Sequence, residues 1–63
     1  MGVVDLYALK SAYWFVSGRH QEGRQELQWV FDTLHHMGKE GLGKQLGQQW
    51  NNLTGQHIEY PAL

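Results

Sequence analysis

Histidine and carboxylate are the residue types that could do chemistry in this chain, because it contains no cysteine. Disulfides, a thiolate nucleophile and a cysteine-based zinc site are thereby excluded. Asp32 and His36 stand four apart, so on a helix they share a face, with His35 alongside. Two such groups could begin a metal site, but zinc takes three or four protein ligands and no HExxH pattern is present. No metal ligands are assigned; histidines closing a helix, where they suit its dipole, are the expected reading. Glu22 and Glu26 are also four apart. They could pair as acid and base, yet glutamates early in a helix are commonly solvated residues. His20 and His57 have no carboxylate or nucleophile at a diagnostic spacing, and Ser11 and Ser17 lie in no nucleophile-elbow pattern. A catalytic pocket occupies several hundred Å³, which 63 residues can hardly enclose. The chain is expected not to be an enzyme, with no catalytic residue and no cofactor.

Charge narrows the partners. The formal net charge is −1, and Lys10, Arg19, Arg24, Lys39 and Lys44 are scattered. Phosphate contacts dominate nucleic-acid affinity and leave a basic stripe in the sequence, so nucleic acid is disfavoured. The alternative is a small dimeric DNA-binding transcriptional regulator, in which symmetry would bring together Arg19, Arg24 and the Lys39–Lys44 segment. No apolar run approaches the roughly 20 residues of a membrane span, and no signal-peptide pattern opens the sequence. A cytoplasmic protein with no membrane association is expected.

The elements that position these residues follow from apolar periodicity. A first helix is predicted from about Asp5, as N-cap, to Ser17, with Gly18 ending it and Leu6, Leu9, Tyr13 and Val16 on one face. A second runs from about Gln21 to Met37, with Leu27, Val30, Phe31, Leu34 and Met37 as its stripe and Gly38 as its stop. A third, shorter helix runs from about Leu42 to Leu53, with Leu42, Leu46, Trp50 and Leu53 on one side. Gly43 and Gly47 inside it could admit another helix, but with lysine and glutamine around them they read as solvent-facing. No internal repeat is seen. Short links make neighbouring helices antiparallel. The fold class is all-α: an antiparallel helical hairpin plus a shorter third helix. Positions 1–55 form a single helical domain, and 56–63 an extended or flexible tail.

Ala12-Tyr13, then Gly18, then Glu22-Gly23 resembles the middle of a tetratricopeptide-type hairpin, in which small and aromatic residues pack two helices and glycine makes the turn. Gly23 stands where that pattern has alanine, and only one copy is present. The resemblance implies an antiparallel hairpin.

Aromatic residues supply the functional expectation. On the second helix Trp29 falls opposite the Phe31 stripe, close to His36. On the first, Tyr7 and Trp14 are seven apart and stack on a side of their own, while Phe15 points elsewhere again. A helix apolar nearly all round is usually buried nearly all round, and two other short helices cannot surround it. A domain of this size buries only about 60% of its unfolded surface and gains from a second copy. The expectation is a homodimeric helical bundle whose dimer or partner interface comprises Tyr7, Trp14, Phe15, Trp29 and His36. The expected function is a non-catalytic protein–protein interaction module: an adaptor, inhibitor or regulatory accessory protein of bacterial or phage type, binding a larger, unidentified protein.

Overall fold

The computed structural model describes residues 2–60, and these fold as three helices in sequence: α1 (Val3–Val16), α2 (His20–His36) and α3 (Glu40–Thr54). They have 14, 17 and 15 residues, so the third helix is longer than the first, not the shortest. Asp5 is not the N-cap. It lies inside α1, and its carboxylate reaches back to accept the Gly2 N–H at 3.0 Å.

The two turns are the same structure built twice. After α1, Gly18 takes φ +97°, its N–H bonds the Phe15 carbonyl and the Arg19 N–H bonds that of Trp14. After α2, Gly38 takes φ +71°, its N–H bonds His35 and the Lys39 N–H bonds Leu34. This double closure is the Schellman motif, and it needs a residue that tolerates left-handed backbone. Each turn is followed by a glycine whose N–H bonds the residue after the turn: Gly23 to Arg19 and Gly43 to Lys39. The sequence therefore does carry a local repeat, Gly18-Arg19-x-x-x-Gly23-Arg24-Gln25 and Gly38-Lys39-x-x-x-Gly43-Lys44-Gln45. Its unit is one turn and one helix, too short for the roughly 34-residue two-helix unit of tetratricopeptide repeats.

The hairpin is antiparallel. Passing back along α1 from Phe15 to Ser11, Lys10 and Tyr7, the partners advance along α2 from His20 to Gly23, Glu26 and Trp29. The α1 face that enters the core is Ala8, Ser11, Ala12 and Phe15. The expected face was wrong: Leu6, Tyr13 and Val16 are exposed, Tyr13 at 69%. Closeness explains the choice. A Cβ on Gly23 would lie 2.8 Å from the Ser11 carbonyl oxygen and 2.9 Å from the Phe15 nitrogen, so the two backbones touch and only small side chains fit between them. On α2 the core takes Leu27, Val30, Phe31 and Leu34 as expected, while Met37 is exposed. On α3 it takes Leu46 and Trp50; Leu53 is exposed.

One buried polar group joins all three helices. Ser11, fully buried, donates its hydroxyl to the Gly23 carbonyl and accepts the Trp50 indole N–H at 3.0 Å. Phe15 meets Trp50 edge-on, ring centres 5.0 Å apart.

Positions 56–60 are neither helix nor strand, with a bend at Tyr60, and they lie against α3. Asn51 holds them by donating to the Ile58 carbonyl at 2.7 Å and accepting the Ile58 N–H at 3.0 Å. Gly43 and Gly47 are buried, not solvent-facing: the Tyr60 ring occupies the space a Cβ on Gly43 would take, and Phe31 abuts Gly47. Positions 61–63 of the expected tail lie outside the described residues.

Gly23→Ala is expected to destabilise the chain by about 1–3 kcal/mol, because the added methyl meets backbone rather than a movable side chain. Gly41→Ala, whose methyl meets nothing within 4 Å, should instead stabilise it by up to about 1 kcal/mol. Ser11→Ala should cost about 1–3 kcal/mol by leaving the Trp50 N–H buried without an acceptor. Urea unfolding midpoints measure all three, and equal shifts for Gly23→Ala and Gly41→Ala would refute the close crossing.

Candidate functional site

Placing Ala8, Ser11, Ala12 and Phe15 inward turns Tyr7 and Trp14 toward the α2 side of α1. On α2, burying Val30 and Phe31 turns Trp29 outward, one helical turn beyond Gln25 and in line with Glu22 and Glu26. These six residues line one groove of about 330 Å³ between α1 and α2. Trp29 remains 51% exposed although its ring meets that of Tyr7 edge-on, centres 5.0 Å apart. Tyr7 is 36% exposed.

Cations border the groove. The Lys10 ammonium stands 5.7 Å from the Tyr7 ring centre and 5.5 Å from that of Trp14, and it pairs with Glu26 Oε1 at 3.4 Å. The Arg19 guanidinium lies 5.0 Å from the Trp14 ring centre. Both are cation–π separations. Glu26 Oε2 is buried and has no hydrogen-bond partner in the protein. Leaving a buried acceptor of a charged group unpaired is costly.

The structure thus brings together three of the five residues expected to form an interface: Tyr7, Trp14 and Trp29. His36 lies next door, sharing with Trp29, Asp32, Thr33 and Met37 a shallow hollow of about 390 Å³. Phe15 does not belong with them. It is 8% exposed, stacks on His20 at 4.5 Å and packs on Trp50 in the chain's own core. Its seven-residue relation to Ala8, rather than to Tyr7, was the available signal. Glu22 and Glu26 were visible in the sequence as a pair but not as walls of an aromatic groove, because nothing in their spacing says which side of α2 faces α1.

A second cluster sits where α2 meets α3. His35 Nδ1 lies 3.2 and 3.3 Å from the two Glu40 oxygens, and the Tyr60 hydroxyl donates to Glu40 Oε1 at 2.8 Å. His35 therefore engages Glu40, not Asp32, and among the described residues no three metal-binding side chains gather. The Tyr60 bond, followed by the hydrogen bond and charge of His35, holds the Glu40 carboxyl below its ordinary range. Desolvation, with the bond to the Glu40 carboxylate, pushes the Tyr60 phenol up to about 12.

These directions set a pH window for the tail. The Tyr60 contribution should be complete below about pH 10 and lost as pH rises through about 12. The Glu40 contribution should be present above its ordinary value of 4.5 and lost as pH falls through its lowered folded value. Proton NMR of the Tyr60 ring across both limits should show the tail leaving Gly43 at either end, and Tyr60→Phe should abolish the alkaline step. An alkaline step persisting in that variant would refute the assignment.

No helix among the described residues is long and apolar enough to cross a membrane. Set beside protein-family models, characterised proteins and solved structures, the chain matches none of the three.

Proposed function

We propose that this chain is a non-catalytic protein-binding module, an adaptor, inhibitor or regulatory accessory protein, that engages a larger protein through the groove between α1 and α2 and acts as a homodimer. The observation that carries the reading is the gathering of Tyr7, Trp14 and Trp29 at one open groove. Tryptophan and tyrosine anchor protein interfaces because they bury much area at small cost in side-chain entropy. The core has no need of Trp29, which stays half exposed while Leu27, Val30, Phe31 and Leu34 close α2 against its neighbours. Its adjoining hollow extends the same surface to His36 and Met37.

The pairing of two copies is assigned to the other side of α1. There Leu9, Ala12, Tyr13 and Val16 line a hollow with Leu53 of α3, and no charged residue lines it. A two-fold contact sets each residue against a copy of its own surface, so an uncharged stripe suits it where a charged one would repel itself. The DNA-binding alternative gains no support: Arg19 precedes α2 and Lys39 follows it, at opposite ends of one helix, with Arg19 committed to Trp14.

Light scattering over a range of concentrations should give twice the chain mass, and Val16→Glu should reduce it to a monomer. The double variant Trp14→Ala, Trp29→Ala should keep the dimer mass, with a melting temperature within a few degrees of the parent, yet lose protein partners that the parent retains. If that variant retains the same partners, the groove is not the docking surface.

A further inference from the structure

A cation already stands at the border of the groove between α1 and α2, and this says what kind of partner side chain the groove accepts. The Lys10 ammonium lies within cation–π range of both Tyr7 and Trp14 and is anchored on Glu26 Oε1. The other oxygen of the same carboxylate, Oε2, is buried without a hydrogen-bond partner, Glu22 stands one helical turn away on the same face, and Trp29 also lines the groove. Two carboxylates and three aromatic rings thus share one wall with the Gln25 amide. Aromatic faces and carboxylates together favour a cation that is planar and weakly hydrated.

Resting on the protein-binding reading above, we propose that the groove accepts an arginine side chain of the partner, its guanidinium held by Glu22 and Glu26 and stacked against the aromatic wall. Arginine fits better than lysine because its fork can donate to two carboxylates at once while its flat face lies on a ring. Charge complementarity selects this occupant over an acidic or purely apolar one: the lining contains two carboxylates, one amide and three aromatic rings, with no basic residue among them. Lys10, on its border, is then a tethered competitor. It satisfies half of Glu26 in the free protein and must share that carboxylate when the partner arrives.

The test uses the full chain, labelled with nitrogen-15, and two blocked pentapeptides, acetyl-Gly-Ser-Arg-Ser-Gly-amide and its counterpart with neutral citrulline in place of arginine. Three indole N–H resonances read the result, because Trp14 and Trp29 line the groove while Trp50 is sealed in the core on Ser11. The arginine peptide should shift Trp14 and Trp29 but not Trp50, and the citrulline peptide should bind at least about tenfold more weakly. Glu26→Gln should weaken the arginine peptide roughly tenfold. Lys10→Met should strengthen it several-fold, a gain that a merely structural role for Lys10 would not give. An unmoved Trp50 resonance certifies that each variant is folded. Equal binding of both peptides, or no effect of Glu26→Gln, would overturn the arginine assignment while leaving the groove a docking surface. No shift with either peptide at millimolar concentration would overturn it as well, and the partner reading would then stand or fall on the Trp14→Ala, Trp29→Ala variant alone.

Discussion

Everything in this small molecule hangs from the Ser11 hydroxyl. Burying a side-chain hydroxyl is costly unless it is hydrogen-bonded, and this one uses both its donor and its acceptor capacity. Here the proton goes to the Gly23 carbonyl of α2 and the lone pair receives the Trp50 indole of α3. The first of these bonds requires that α1 and α2 meet backbone to backbone, which is possible only because position 23 has no Cβ. The second fixes the rotation of α3, since only one orientation brings Trp50 over Phe15 with its N–H aimed at Ser11. A side chain of this size thus sets the distance of one helix pair and the angle of the other.

That constraint explains what could and could not be read from the sequence. The α2 stripe was legible because charged and amide residues mark its opposite side. The α1 face was not, because α1 is apolar on every side and periodicity then has no contrast to detect. Bulk suggested Leu6, Tyr13 and Val16, but the close crossing selected Ala8, Ser11 and Ala12, and the large residues were left outside. The clue was on the other helix: a glycine in the middle of α2, costly there unless something approaches it. The recurrence of Gly-basic-x-x-x-Gly-basic-Gln twenty residues later was equally available, and it marks both turns. Gly43 misled for the opposite reason. Its neighbours are polar, but what fills its vacancy is Tyr60, a residue of the tail that no helical wheel of α3 contains.

The groove inherits its composition from the same choice. Once small residues take the inner face of α1, its aromatic residues have to flank that face, and those on the α2 side find Trp29, Glu22 and Glu26 across from them. Tyr7, Trp14 and Trp29, three of the residues expected at an interface, meet there because they are aromatics that the core cannot use. Phe15 is absent from the groove, since it is the one large ring on the inward face of α1 and packs against Trp50 in the core. The pairing of Lys10 with Glu26 could not be foreseen either, as it depends on the register of the hairpin, which Gly23 sets.

The Ser11 link also divides the chain-entropy cost of the fold unevenly. The hairpin contacts join residues brought close by a single tight turn, whereas the bond from Trp50 spans 39 positions, and closing a longer loop costs more chain entropy. With its proton on the Gly23 carbonyl, the hydroxyl presents its lone pair to Trp50, so the α1–α2 contact supplies the acceptor that the more distant helix uses.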